Sequence, residues 1–169
     1  MLYVEAPNDV SPAEISNGRH SLFLAGGITG CPDWQAELRQ LLEPIEHLVV
    51  FNPRRRNFPI SDPSAAEAQI AWEYKWLSKA NDVLFWFSRG SDNPIVLFEY
   101  GKELGRKGRP GFAYRQLFVG CDPEYSRRKD VEIQTRLAAR DIVIASSLKE
   151  LVAQINFHLE RWRSIVMDP

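Results

Sequence analysis

The chain has 169 residues, a one-domain length, and its 44% apolar and 25% charged residues exclude disorder as the main state. Lys+Arg total 21 and Asp+Glu 22, so the net charge is -1, which argues against bulk electrostatic binding to nucleic acid or to a membrane surface. Two cysteines, Cys31 and Cys121, are too few for a disulfide scaffold, and the histidines at 20, 47 and 158 share no metal-ligand spacing, so no metal site is expected.

The N-terminal stretch MLYVEAPNDV is acidic and lacks a basic n-region, so it does not read as a signal peptide. With apolar runs too short to span a membrane, a reducing, cytoplasmic compartment is the expectation. Within the first 20 residues, an extension to the main pattern, Leu2–Glu5 reads as an added edge strand, and Ser11-Pro12-Ala13-Glu14 as one helical turn. Five apolar runs then predict strands at Leu22–Ala25, Leu48–Phe51, Val83–Phe87, Gln116–Val119 and Ile142–Ala145. They lack alternation, as strands covered on both faces do.

Helical patterns fall between them, at Pro32–Leu42, Ala65–Ala80, Pro94–Lys107 and Arg127–Ala139, and Ser147–Trp162 follows the last run. Ser147 with Glu150 has the spacing of a capping box. Alternating strand and helix predicts a single α/β domain over 1–169. Its core is a doubly wound, flavodoxin/Rossmann-like parallel sheet of five strands in the order 2-1-3-4-5, with helices on both faces.

Such sheets bind ligands beyond the carboxyl ends of the strands, where the strand order reverses. Two loops meet that description: Gly26-Gly27-Ile28-Thr29-Gly30, and Ser88-Arg89-Gly90-Ser91-Asp92-Asn93. The first is either a cradle for an anion or sugar or a tight strand-to-helix turn. The second leads into a helix with Asn93 as the expected N-cap and Pro94 as its first residue.

Glu99, in the second turn of that helix, borders an apolar stripe; it either lines a site or makes surface pairs, with Glu103 facing water. On the preceding helix, Ala66, Ile70, Leu77 and Ala80 define an inward stripe in which Glu73 takes an apolar position. Trp72 and Trp76 flank it, either as core or as walls for an aromatic ligand. Arg54 and Arg55, in Asn52-Pro53-Arg54-Arg55-Arg56, suit a phosphate, or tie a loop to a structural acid such as Asp62.

Jointly these pieces resemble the nucleoside 2-deoxyribosyltransferase-like family, over about Leu22 to Ala145. The carriers are Phe23-Leu24-Ala25-Gly26-Gly27-Ile28-Thr29-Gly30, Asn52-Pro53-Arg54-Arg55, Gln69-Ile70-Ala71-Trp72-Glu73-Tyr74, Leu77 to Phe87, and Pro94-Ile95-Val96-Leu97-Phe98-Glu99-Tyr100-Gly101. The resemblance implies cleavage or transfer at the N-glycosidic bond of deoxynucleosides or their monophosphates, with no cofactor. It implies Glu99 as nucleophile, Glu73 as a second acid holding sugar or base, and Asp92 as the acid near the leaving base. Phe23 stands where transferase members carry tyrosine, Asn93 shares the place of the base-side acid, and Gly26, Gly27 and Ile28 border the substrate. It further implies a homo-oligomer, dimer or higher, in which a neighbouring subunit completes the site; Asp130 is the nearest match to the asparagine supplied there. The alternative on the same fold is a nucleotide-binding or sensor module without turnover.

Overall fold

The computed structural model describes residues 1–16, 18–59, 61–112 and 114–166. Residues 17, 60, 113 and 167–169 of the domain expected over 1–169 lie outside the described residues. The elements in chain order are β1 (Leu2–Glu5), α1 (Pro12–Ser16), β2 (His20–Gly26), α2 (Trp34–Leu42), β3 (Leu48–Asn52) and α3 (Pro63–Lys79). They continue with β4 (Asp82–Phe87), α4 (Pro94–Arg106), β5 (Leu117–Cys121), α5 (Arg128–Ala138), β6 (Ile144–Ala145) and α6 (Leu148–Val166).

One sheet holds all the strands in the order β1-β3-β2-β4-β5-β6, and every neighbouring pair is parallel. The five expected strands keep their expected order. The sheet has six strands instead of five, because the added edge strand expected at Leu2–Glu5 joins it as β1 and pairs with β3 from Leu2↔Val49 to Glu5↔Asn52. This strand is short and partly buried, so it carries no strong apolar run. The last strand is shorter than the run that predicts it, because Ile142 and Val143 precede the pairing with Val119 and Gly120.

Side-chain alternation divides the core between the sheet's two faces. Leu22 and Leu24 of β2 pack with Trp34 and Leu38 of α2 and Leu151 and Ile155 of α6. Phe23 and Ala25 point the other way, into a cluster with Trp72 and Trp76 of α3, Val96 and Tyr100 of α4, and Val131 of α5. The chain passes from β2 to β3 on one side and then crosses to β4 on the other, so the strand order reverses between β2 and β4.

Local sequence sets the helix starts. Asp33 caps α2 by accepting from Ala36 N at 3.2 Å, and Asp62 caps α3 through Ser64 N at 2.9 Å with Pro63 following. Ser11 and Glu14 close a reciprocal box: Glu14 N donates to Ser11 Oγ at 3.3 Å, and Ser11 N to Glu14 Oε2 at 2.9 Å. At α6, Glu150 N donates to Ser147 Oγ at 3.2 Å, but the Glu150 carboxylate takes the amide of Ser146 instead of Ser147.

The inward face of α3 differs from the expectation. Ala66 is exposed and Ile70 is 65% exposed, whereas Ala65, Trp72, Trp76, Leu77 and Ala80 are buried. The two indoles, one helical turn apart, carry far more apolar area than Ala66 and Ile70 and turn the helix toward themselves. Trp76 stacks on Phe51 with ring centroids 4.2 Å apart, and Trp72 and Trp76 donate their indole N–H groups to Asn8 O and Asp9 Oδ1. The N-terminal segment is thereby fastened to α3.

Glu103 is a second correction. It is 1% exposed instead of facing water, and its two oxygens accept from Arg106 at 2.8 Å and Arg115 at 3.0 Å. No described helix is long and apolar enough to cross a membrane.

Candidate functional site

A cavity of about 430 Å³ opens at the carboxyl ends of β2 and β4, at the reversal of strand order, and its size suits a small organic ligand. Its floor is Phe23, Ala25 and Gly26 of β2; Gly27, Ile28 and Thr29 continue it; Ser91 and Asn93 follow β4. Pro53, after β3, closes one side, and Glu73 of α3 and Glu99 of α4 face in from two helices.

The glycines are required by close approach. A Cβ on Gly27 would strike Asn93 Oδ1 and the Cys31 thiol, and one on Gly26 would strike the Trp34 ring and Trp86 O. Trp34 Nε1 donates to Gly27 O at 2.8 Å, which fixes the turn from below. Asn93 stands at the expected N-cap position of α4, with Pro94 following, but its side chain makes no capping bond. It adopts a left-handed conformation with φ 48°, and its amide instead donates to Ser88 O and Ser91 O, both at 2.8 Å. That side chain welds the two strand-end loops together, and it lines the cavity at the same time.

The two acids are electrostatically unusual. Burial pushes the Glu99 carboxyl up to about 7, and the neighbouring charge of Glu73 adds to the effect. Burial also raises Glu73, against a hydrogen bond of 2.8 Å donated to its Oε1 by Gln69 Nε2. Gln69 is itself anchored at 2.7 Å on Pro53 O, so Glu73 is held at the rim by a fixed amide. Two carboxyl groups raised by burial, Glu99 also by the charge of Glu73, in a crevice at strand ends, mark a place where proton or charge is handled.

The structure therefore brings together Phe23, Gly26, Gly27, Ile28, Glu73, Asn93 and Glu99. Five other residues named from the sequence lie elsewhere. Trp72 is buried behind the cavity, against Phe23 and Phe51. Asp92 is exposed, its Oδ1 accepts from Ser126 Oγ at 2.8 Å, and it does not line the cavity.

Arg54 donates to Pro32 O, Gln35 Oε1 and Cys31 O and lies 3.6 Å from Asp33, so it braces the loops around α2. Arg55 sits over the Phe58 ring at 5.4 Å. Asp130 lines a separate groove between α4 and α5, with Leu97, Tyr100 and Gly101. Sequence reasoning about side-chain chemistry passed over Thr29 and Ser91; both stand in the two loops that the strand-end rule singles out.

The geometry is that of the small-molecule crevice of a doubly wound α/β protein. A family model described as nucleoside 2-deoxyribosyltransferase like matches residues 19–118, more than half of the chain and every residue of the cavity lining. The chain belongs to that nucleoside 2-deoxyribosyltransferase-like family. A comparison with curated proteins returns no match.

Proposed function

We propose that the protein cleaves or transfers at the N-glycosidic bond of a 2′-deoxynucleoside through a covalent glycosyl-Glu99 ester. The observation that carries this reading is the convergence of Glu99 and Glu73, both partly buried and both raised, on one cavity at the strand ends. A carboxylate oxygen of Glu99 attacks the anomeric carbon, and the carbon–nitrogen bond breaks with its electron pair passing to the base.

In this reading the two acids share one proton in the working state, and Glu73 delivers it to the leaving base. Asp92, whose carboxylate is engaged by Ser126 outside the cavity, takes no part. In the second step a new base, or water, attacks the glycosyl ester and returns its proton to Glu73. The transition state is oxocarbenium-like, so the ionised member of the pair also stabilises it through space. Phe23 has no hydroxyl to offer Glu99; burial and the Glu73 charge hold the Glu99 proton up to about pH 7, so that proton passes to Glu73 before Glu99 attacks.

An uncharged nucleoside is the favoured substrate class over a monophosphate. The cationic group nearest in sequence, Arg54, is spent on Pro32, Cys31 and Gln35, and the described lining has two acids and no cationic side chain. The buried thiols of Cys31 and Cys121 are free, which suits the reducing compartment proposed for the chain.

The test is incubation with deoxyinosine and adenine, and separately with deoxynucleoside monophosphates, with separation of the products. Base exchange identifies a transferase, and free base plus sugar a hydrolase; no product from either, with ligand still bound, leaves the binding-module reading. Sharing one proton predicts a bell-shaped pH profile whose alkaline limb lies near pH 7, where the pair loses that proton. Glu73→Gln removes the charge that helps raise Glu99, so the alkaline limb should vanish together with at least ~10²-fold of the rate. An unchanged limb in that variant contradicts the shared-proton assignment.

A further inference from the structure

At the end of the sheet away from the cavity, three donor side chains from three elements converge. His20 opens β2, Asp82 opens β4, and His158 projects from α6. Nothing in their sequence spacing announces them; the parallel pairing of β2 with β4, with α6 packed across it, brings them together. His20 Nε2 lies 2.6 Å from Asp82 Oδ2, and His158 Nε2 lies 3.0 Å from the same oxygen. One donor atom from each residue falls within 4.8 Å of the other two.

The surroundings fix this trio. Asp82 Oδ1 accepts from Gln116 N at 2.9 Å, which sets the carboxylate plane and leaves Oδ2 to the imidazoles. Trp162 packs edge-on against His20 at 4.9 Å, and Phe118 packs against His158 at 5.6 Å. The Asp82 and His20 side chains are only 2% and 7% exposed. His158 Nε2 is buried and makes no hydrogen bond among the described residues, although it stands at contact distance from Oδ2. One imidazole is enough to pair a buried aspartate; the second is surplus to that task.

We propose that His20, Asp82 and His158 form a transition-metal site that takes one divalent ion of the zinc class, with water in the fourth position. Two imidazole nitrogens and one carboxylate oxygen suit borderline ions, whereas magnesium and calcium prefer all-oxygen sets. Tetrahedral zinc places neighbouring ligand atoms about 3.3 Å apart, so the contacts of 2.6 and 3.0 Å to Asp82 need to open by about 0.7 and 0.3 Å. His158, 29% exposed at its side chain, gives the ion a way in.

His20 Nδ1 is buried with no partner among the described residues, so one ligand lacks the usual outer hydrogen bond. Affinity on the order of micromolar, well short of a structural zinc finger, is the consequence. The ion would staple α6 to the first residues of β2 and β4. The seven residues of β2 put it about 20 Å from the cavity, so it acts on stability and not on the reaction.

The full chain, stripped with chelator and then freed of it, is titrated with zinc alone in competition with a chromophoric chelator. One ion per chain should bind, and a hundredfold excess over Kd should raise Tm by about 5–10 °C. Magnesium should leave Tm unchanged. Cobalt(II) should give visible d–d absorption with wild-type protein, a readout that needs no variant. His158→Ala, at a partly exposed position, should bind zinc at least ~10-fold more weakly and lose the Tm shift. No zinc bound by the wild-type chain, no visible cobalt spectrum, or binding unchanged in a folded His158→Ala would overturn the proposal. Release of free base from deoxyinosine should be equal in the stripped and zinc-loaded proteins, and a dependence on zinc would contradict the structural role.

Discussion

At the scale of single residues, the balance at Glu99 is one of burial and like charge against solvation. Its carboxyl is raised to about 7, above the ordinary glutamate value, so the folded state binds the proton more tightly than the unfolded chain. The stability this confers is complete below the unfolded value and is lost as pH climbs through about 7. Glu99→Gln should accordingly be more stable than wild type at pH 8, by about 1–2 kcal/mol, and close to it at pH 5; denaturant midpoints at the two pH values measure this. Equal midpoints for the two proteins at pH 8 would place Glu99 in water instead. Glu99 and Glu73 were legible in the sequence because a charged residue beside or within an apolar helical stripe is out of place. Asn93 was legible as a residue but not in its role. A left-handed backbone at φ 48° and the contact across to Gly27 depend on two loops that are far apart in the chain and meet only in the sheet.

At the scale of elements, strand positions were readable because both faces of the sheet are covered and each strand is a dense apolar run. The rotation of α3 was not. A stripe drawn through Ala66 and Ile70 is as periodic as one drawn through Ala65, Trp72 and Trp76, and only the contacts with Phe51, Phe23 and the N-terminal segment decide between them. Trp76→Ala should therefore cost about 3–5 kcal/mol in chemical unfolding, while Ile70→Ser should change stability by less than about 0.5 kcal/mol. The reverse ranking would restore the stripe expected from sequence. The edge strand β1 belongs to the same arrangement, since Asn8 and Asp9, just beyond it, receive the two indole N–H groups.

At the scale of the whole molecule, the family match ends at residue 118, yet the sheet continues through β6 and α6 packs beneath β5. The groove of about 450 Å³ between α4 and α5, lined by Asp130 and by Leu97, Tyr100, Gly101 and Leu104, lies outside the cavity of its own chain. In the homo-oligomer that the family resemblance implies, Asp130 would serve the cavity of a second copy. Sedimentation should then give a mass at least twice the chain's 19.4 kDa at micromolar concentration. A fully active monomer would remove Asp130 from the site.

The covalent glycosyl-Glu99 ester can be trapped and weighed by mass spectrometry. A deoxynucleoside carrying fluorine at C2′ slows breakdown of the intermediate, because fluorine disfavours the oxocarbenium-like transition state. Wild-type protein should become heavier by one fluorodeoxyribosyl group, with the added mass on the peptide containing Glu99 and none on Glu99→Gln. Turnover of the unfluorinated substrate with no adduct, or an adduct on another residue, would contradict the glycosyl-Glu99 ester.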